Sequence, residues 1–371
     1  MKTGIGIIGC GFVADYYMAT LYAYPQFEIC GVFDIDFERL NIFCSHYDLK
    51  ACTDANELLN NPEIEVILNL TDPRSHYDVS VACLEAGKHV YSEKPLAMSF
   101  SESQELTELA ESRGLRISCA PCNALGRSAQ TLKQAIEDRT VGAARLVYAQ
   151  MDDGLVPVMP FKSWYSASGA PWPYRDEFEI GCTLEHSGYS LGILISLFGE
   201  IASITAFSDC LIQNKLPNEA ALEPDDSADM SVGLIKFSNG VVARLTTTIV
   251  AERDYSVRIY GDRGILHLDN CWNNGASVTY QKYINIRRRT LLNPIKRKVK
   301  PKKHVAVNKL QHSKTRMDFL LGVNELVQAI RDNGDAGLLS RRALHINEAA
   351  IAISNAGAST GTYQMQSGLK A

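Results

Sequence analysis

Residues 3–14, TGIGIIGCGFVA, constrain this chain more than any other stretch. A β-rich apolar run ends in a turn, Gly9-Cys10-Gly11-Phe12-Val13-Ala14, that fits G-x-G-x-x-A between a strand and a helix. The first glycine permits the tight reversal and the second lets the backbone approach a pyrophosphate. The small Ala14 lets the helix pack on the sheet. The helix start, with Phe12 and Val13 at its entrance, offers free N–H groups to phosphate oxygens. The next strand, FEICGVF (27–33), ends at Asp34. The spacing from Gly9 slightly exceeds the usual interval of about 20 residues, and the loop at Pro25 accounts for the difference. Asp34 would hold the adenine ribose hydroxyls and disfavour a 2′-phosphate. NAD is therefore the favoured cofactor, with NADP possible because Arg39 is near.

The pattern that follows the turn alternates. Helical spacing over 12–24, 37–47, 76–86 and 101–113 separates apolar strand runs at 27–33, 65–70, 89–95 and 115–120. Strands separated by helices imply parallel βαβ units, so this half reads as a doubly wound α/β Rossmann sheet. Beyond it the pattern changes. Runs rich in Val, Ile and Thr at 143–151, 201–211, 228–237, 241–250, 255–261 and 264–269 succeed one another with few helices between them. Asn239-Gly240 is a two-residue hairpin signal, and GDRG (261–264) is a second reversal. Helices are expected at 128–138, 183–198, 315–331 and 341–356. The second unit therefore reads as an α+β domain with an open, mostly antiparallel sheet. The expected division is a dinucleotide-binding domain over 1–122 and a substrate-binding and oligomerisation domain over 123–371, with the C-terminal helices packing back on the first.

Composition narrows the class. With 371 residues, 46% hydrophobic and 21% charged, the chain suits two packed domains and excludes disordered or collagen-like classes. No apolar run approaches the roughly 20 residues that span a bilayer. The N-terminus runs straight into the glycine turn and does not read as a signal peptide, which points to the cytoplasm. A net charge of −5 argues against nucleic-acid binding by the whole molecule. The ten cysteines are scattered and read as small buried hydrophobes. Cys119 and Cys122 have CxxC spacing but no second pair, so two packed thiols are favoured over a metal or redox site, and no metal is expected.

The chain resembles the Gfo/Idh/MocA oxidoreductases, the group of glucose–fructose oxidoreductase and inositol dehydrogenase. The resemblance rests on GIIGCGFVA (6–14), LNLTDPRSH (68–76), CLEAGKHVYSEKPLA (83–97), LEHSGYSLGIL (184–194), VRIYGDRGILHL (257–268) and the two closing helices. The Glu93-Lys94-Pro95 tripeptide after a strand is its most specific element. The resemblance implies a Rossmann domain, an open sheet in the second domain, and hydride exchange between a nicotinamide and a sugar, cyclitol or nucleotide sugar. It also implies a homodimer or homotetramer paired through that sheet. It makes Lys94 the active-site lysine, flanked by Glu93 and a cis peptide at Pro95. It also places Thr71, Asp72 and His76 in the loop beneath the cofactor and Asn123 near the nicotinamide.

The chain departs from the family in four places. Asp72 stands where relatives often have proline after the threonine. Leu125 stands where an arginine is common, and Gly192 where an aspartate is expected. Relatives read G-x-L-x-D-x-G-x-H where this chain has Leu184-Glu185-His186-Ser187-Gly188-Tyr189. On this reading His186 takes the aspartate position and Tyr189 the histidine position, while Glu185 is a solvent or supporting group.

Oxidising an alcohol requires that its hydroxyl proton be removed. His186 and Tyr189, three apart on a helix, share a face that Lys94 would approach. Tyr189 could serve as acid/base with its pKa lowered by the Lys94 cation. Alternatively, His186 could exchange the proton at its ordinary pKa of about 6.5. Tyr189 is favoured for its position. A non-catalytic nucleotide-binding regulator or scaffold is the competing class, motivated by the replaced aspartate and histidine. Upstream, FKSWYSASGAPWPYRDEFEIGC (161–182) sets Trp164, Tyr165, Trp172, Tyr174 and Phe178 beside Asp176, Glu177 and Glu179. Aromatic faces beside carboxylates suit a sugar, and Trp172, Tyr174 and Asp176 are the candidate contacts. The segment 282–303 concentrates lysine and arginine. It reads as a solvated surface insertion, or else as an attractor of a phosphorylated substrate or an anionic surface.

Overall fold

The computed structural model describes residues 2–217, 219–301, 307–311, 316–332, 335, 337–356 and 361–370. Residues 302, 303 and 315, which belong to segments singled out above, lie outside the described residues.

The strands of the first half are Thr3–Ile8 (β1), Phe27–Phe33 (β2), Ile64–Asn69 (β3), His89–Ser92 (β4) and Ile117–Cys119 (β5). They form one parallel sheet in the order β2-β1-β3-β4-β5. Helices Ala14–Met18 (α1), Phe37–Tyr47 (α2), Ala55–Leu59 (α3), His76–Glu85 (α4) and Phe100–Ser112 (α5) connect them. Every residue of β1 is buried, which is why it reads as a continuous apolar run without alternation. The strand order reverses between β1 and β3, so a crevice opens at their C-terminal ends, the usual place for a dinucleotide in such sheets.

The second half begins with Arg127–Glu137 (α6), Ala144–Asp152 (β6), Tyr174–Ile180 (α7) and Cys182–Phe198 (α8). Strands Ile201–Asp209 (β7), Met230–Phe237 (β8), Val242–Thr248 (β9), Val257–Gly261 (β10), Gly264–Leu268 (β11), Val278–Ile286 (β12), Arg289–Leu292 (β13) and Arg297–Lys298 (β14) follow. Helices Leu320–Asp332 (α9) and Leu338–Ser354 (α10) and strand Thr362–Gln364 (β15) complete the described elements. The sheet runs β13-β12-β11-β10-β6-β9-β8-β7-β15, with β14 also on β12. The β6–β9 pair is parallel and the other described pairs are antiparallel. Helix α8 packs on one face of this sheet. The alternation in β8 exposes Leu234 on the other.

The closing helices return to the parallel sheet. The Asn347 amide donates to the Ala97 carbonyl and Ser103 Oγ at 2.9 and 2.7 Å, and its Oδ1 accepts the Leu96 N–H. Asp318 accepts bonds from Thr20 Oγ1 and Tyr24 Oη at 2.6 and 2.8 Å. These contacts also shorten a helix that spacing suggested. The 12–24 stretch is helical only over Ala14–Met18, with a separate 3₁₀ turn at Leu21–Ala23. The Ala19 carbonyl accepts the Gln311 N–H, and Thr20 is turned toward Asp318. Tertiary bonds here replace the helical ladder. The basic segment, expected as a solvated surface insertion, supplies the end of β12 and the exposed strands β13 and β14.

Candidate active site

A cleft of about 670 Å³ starts at the glycine turn, runs over the ends of β1 and β3, and ends against α7 and α8. Gly9, Gly11, Phe12, Val13, Asp34, Arg39, Thr71, Asp72, Glu93, Lys94, Trp172, Asp176, His186 and Tyr189 all line it. Gly9 has φ +89°, and a Cβ there would stand 2.6 Å from the Leu70 carbonyl, so this position requires glycine. A Cβ on Gly11 would meet nothing within 4 Å, which leaves that backbone open to the cleft.

The far end of the nucleotide crevice is set by Asp34. Its carboxylate accepts the N–H groups of Cys10 and Asp36 at 2.8 and 2.9 Å and a two-pronged contact from Arg39 at 2.6 and 3.1 Å. Burial alone would raise its pKa, but the Arg39 guanidinium and these N–H groups bring it below the usual value. Its acceptor positions are thus occupied by Arg39 and the backbone. A ribose diol would need the half-exposed Arg39 side chain to swing aside, whereas a 2′-phosphate could meet Arg39 where it stands. The open Gly11, the strand-end crevice and Asp34 together fit a dinucleotide. Gly9, Gly11, Phe12 and Val13 would hold its pyrophosphate, and Asp34 with Arg39 its adenosine end.

The opposite end is an ionic cluster. Lys94, held by its cis peptide to Pro95, donates to Glu185 on α8. Burial opposes the Lys94 charge, but Glu185, Glu177 and Glu93 outweigh it and hold the ammonium above the ordinary lysine pKa. Burial raises the carboxyl of Glu185 despite the Lys94 cation. Glu93, also raised by burial, accepts the Tyr17 hydroxyl at 2.6 Å. His186 lies between two carboxylates. Its Nε2 bonds Glu177, and its Nδ1 stands 2.7 Å from Asp153 Oδ2, off the hydrogen-bonding line, as an ionic contact. Burial opposes its charge, yet Asp153 and Glu177 hold it protonated well above the ordinary histidine range. Tyr189 packs tilted against Trp272 with ring centroids 4.1 Å apart, and Trp272 stacks at 5.8 Å on Tyr255, whose hydroxyl donates to Asp153.

This geometry corrects several expectations. Tyr189 is not acidified by Lys94, because burial and the nearby Glu93 and Glu185 push its phenol well above its usual pKa. His186 is not a free imidazole near neutrality, since carboxylates face both ring nitrogens. The carboxylate that meets Lys94 is Glu185, buried and four residues before Tyr189, as the aspartate and histidine of D-x-G-x-H are four apart. By that count Glu185 stands where the resemblance would set the aspartate, and the His186 ring lies instead between Asp153 and Glu177.

Three expected contacts lie outside the cleft lining. His76 is fully buried, its ring spanning the Pro95 and Thr71 carbonyls at 2.6 and 3.1 Å, so it ties the cofactor loop to the Lys94 segment. Asn123 lies behind α8, its amide donating to the Tyr189 and Cys271 carbonyls. Tyr174 packs on Phe161 and points its hydroxyl at Glu219, 3.3 Å away.

Sequence reasoning missed Asp153, Trp272 and the clasp over the glycine turn. In that clasp buried Asp15 accepts the Ser168 N–H and Oγ–H at 2.9 and 2.8 Å, fixing the 165–173 loop across the crevice. Arg74 makes a second bridge, to Asp176 and Glu179 on α7 at 3.4 and 3.0 Å. The Cys119 and Cys122 thiols each donate to a backbone carbonyl, of Glu93 and Asp318. None of the basic residues of 282–301 lines the cleft.

A phosphate-cradling turn joined to a buried lysine–carboxylate pair across one cleft defines an NAD(P)-dependent oxidoreductase. Comparison with known families is more specific. The model of the oxidoreductase family with an NAD-binding Rossmann fold matches residues 3–120, and the GFO/IDH/MocA C-terminal domain matches 129–267. The chain belongs to the GFO/IDH/MocA family. It is 25% identical over 272 residues to trans-1,2-dihydrobenzene-1,2-diol dehydrogenase of Bos taurus, covering 72% of this chain and 75% of that one. Myo-inositol 2-dehydrogenase of Thermotoga maritima is 22% identical over 270 residues, with coverage of 72% and 75%. Among solved structures, UDP-N-acetylglucosamine 3-dehydrogenase of Acidithiobacillus ferrooxidans superposes with a TM-score of 0.68 at 19% identity, covering 97% and 99% of the two chains. No helix among the described residues is long and apolar enough to cross a membrane.

Proposed function

We propose that this chain exchanges a hydride between NAD(P) and a carbinol carbon of a polyhydroxylated ring: a sugar, a cyclitol or a nucleotide sugar. The observation that carries the proposal is the buried Lys94–Glu185 pair, set at the end of the dinucleotide crevice and beside Tyr189. A non-catalytic scaffold has no use for a buried cation aimed into that junction. Names of relatives support the substrate class: one acts on a cyclitol, one on a cyclic diol and one on a nucleotide sugar.

Bound NAD(P) supplies the hydride acceptor or donor. The chain's own residues handle the proton. Lys94 binds the substrate oxygen, and its ammonium stabilises the negative charge that grows there. As the alcohol loses its proton, Lys94 takes it and passes one of its own to Glu185, whose carboxyl is raised by burial and so poised to accept it. In reduction the same pair returns the proton. Tyr189 stays protonated and donates a hydrogen bond to the same oxygen, which orients it. Trp172 and Trp272 line the cleft where the C–H face of a ring would lie. His186, anchored by Asp153, positions Glu177 beside Lys94 without exchanging protons. The exposed Phe207, Leu234 and Val242 suit the open sheet face for pairing with a second copy.

The test is reduction of NAD and of NADP by the purified protein with a panel of sugars, inositols and UDP-sugars, alongside Lys94→Met. Turnover of one class, lost in the variant while nucleotide still binds, is the expected result. Nucleotide binding without turnover of any polyol, in either direction, would favour the scaffold reading.

A further inference from the structure

The sheet carries an arm that the oxidoreductase reading does not use. Strand β12 pairs with β11 only as far as Lys282, and beyond Tyr283 it pairs with β13 alone. The hairpin over residues 283–292 therefore projects past the sheet edge as a two-stranded ribbon. Between Asp269 and Pro301 the sequence contains eight lysines and arginines and no carboxylate. None of these cations has an ion-pair partner among the described residues. At the tip the turn residues are Arg287 and Arg288, and Arg287 has φ +56°. Only the first of the two turn residues has positive φ, a position at which glycine is favoured, and an arginine held in the left-handed region there costs conformational energy. The chain keeps charge at the tip at the expense of turn geometry.

The arm is also apolar on one face. The register pairs Ile284 with Leu291 and Ile286 with Arg289, so three aliphatic side chains share a face with a guanidinium. Ile286 is 52% and Leu291 46% exposed. Nothing on this face points to the cleft.

We propose that this arm docks on an anionic lipid bilayer, with the arginines against the headgroups and Ile284, Ile286 and Leu291 at the acyl boundary. Clustered basic residues attract acidic lipids, and interleaved apolar side chains add area that inserts at the interface. A single-stranded nucleic acid would instead call for aromatic faces between the cations, whereas the arm's one aromatic ring, Tyr283, sits at its base on the opposite face from Ile284, Ile286 and Leu291. The aliphatic content therefore favours lipid.

The full chain is sedimented with phosphatidylcholine vesicles, with and without phosphatidylglycerol, at low and high salt. Expected is pelleting with the anionic vesicles alone, falling by about tenfold or more at high salt. The variant Arg287→Gly/Arg288→Ser/Arg289→Thr should lose about tenfold or more in vesicle affinity. Its melting temperature should hold or rise, because the turn is relieved. Ile284→Thr/Ile286→Thr/Leu291→Thr should lose vesicle binding while its retention on immobilised heparin is unchanged. Three results each overturn the proposal: no pelleting of the wild type, equal pelleting on phosphatidylcholine, or undiminished vesicle binding by the threonine variant. The last would identify the arm as a general polyanion site.

Discussion

Replacing His186 by glutamine removes a cation from between two buried carboxylates, and the structure sets the size of the effect. The His186 side chain is 13% exposed, and those of Asp153 and Glu177 are 11% and 8%. Removing one partner of a buried ionic group leaves uncompensated charge, at a cost of about 3–5 kcal/mol. Unfolding entropy is about 2.1 cal/mol/K per residue, or roughly 0.8 kcal/mol/K for a chain of this length. The melting temperature should therefore fall by about 4–6 °C. The pH dependence gives a second signature. The folded pKa of His186 is raised, so its stabilisation is complete below the unfolded value of about 6.5 and is lost as pH rises through the folded value. The gap between wild type and His186→Gln should thus be widest near about pH 6 and shrink in alkaline buffer. Adding Glu177→Gln removes one of the orphaned charges and should recover part of the loss. Calorimetry of the three proteins across pH tests this. Equal melting temperatures near about pH 6, or a gap that widens with alkalinity, would refute the ionic account of His186.

Other perturbations address the two ends of the cleft. Gly9→Ala places a Cβ 2.6 Å from the Leu70 carbonyl at φ +89° and should abolish dinucleotide binding measured by calorimetric titration, whether or not the fold survives. Arg39→Ala frees Asp34 to accept ribose hydroxyls, and should raise the ratio of NAD to NADP affinity by about tenfold, while Asp34→Ala should lower it. Glu185→Gln removes the proton acceptor and should reduce kcat by about 100-fold or more with NAD affinity retained. Tyr189→Phe should cost less, since its phenol only orients the substrate oxygen.

Much of this was legible in the sequence. The glycine turn and Asp34 declared a nucleotide site because both belong to one local βαβ unit, β1 through the end of β2. The β-rich runs of the second half declared an antiparallel sheet because their spacing left no room for crossovers. What stayed hidden depends on distant partners. Helix α1 is short because Gln311 and Asp318, nearly three hundred residues away, bond to Ala19 and Thr20. The protonation states of His186 and Tyr189 follow from Asp153, Glu177, Glu93 and Glu185, which come from four separate elements and share no sequence pattern. Glu185 could have been found by counting, since it stands the motif's four residues before Tyr189.

In reduction the cleft would deliver a hydride to a carbonyl carbon while the Lys94–Glu185 pair supplies the proton to its oxygen. This delivery is tested most directly by isotope transfer. Reduced nicotinamide carrying deuterium at the transferable position is incubated with the protein and a ketose, inosose or keto-UDP-sugar, and the products are analysed by mass spectrometry. One deuterium bound to carbon is expected in the alcohol formed by the wild type, and none with Lys94→Met although the nucleotide still binds. Label in no product despite bound nucleotide, or equal transfer by Lys94→Met, would contradict this mechanism.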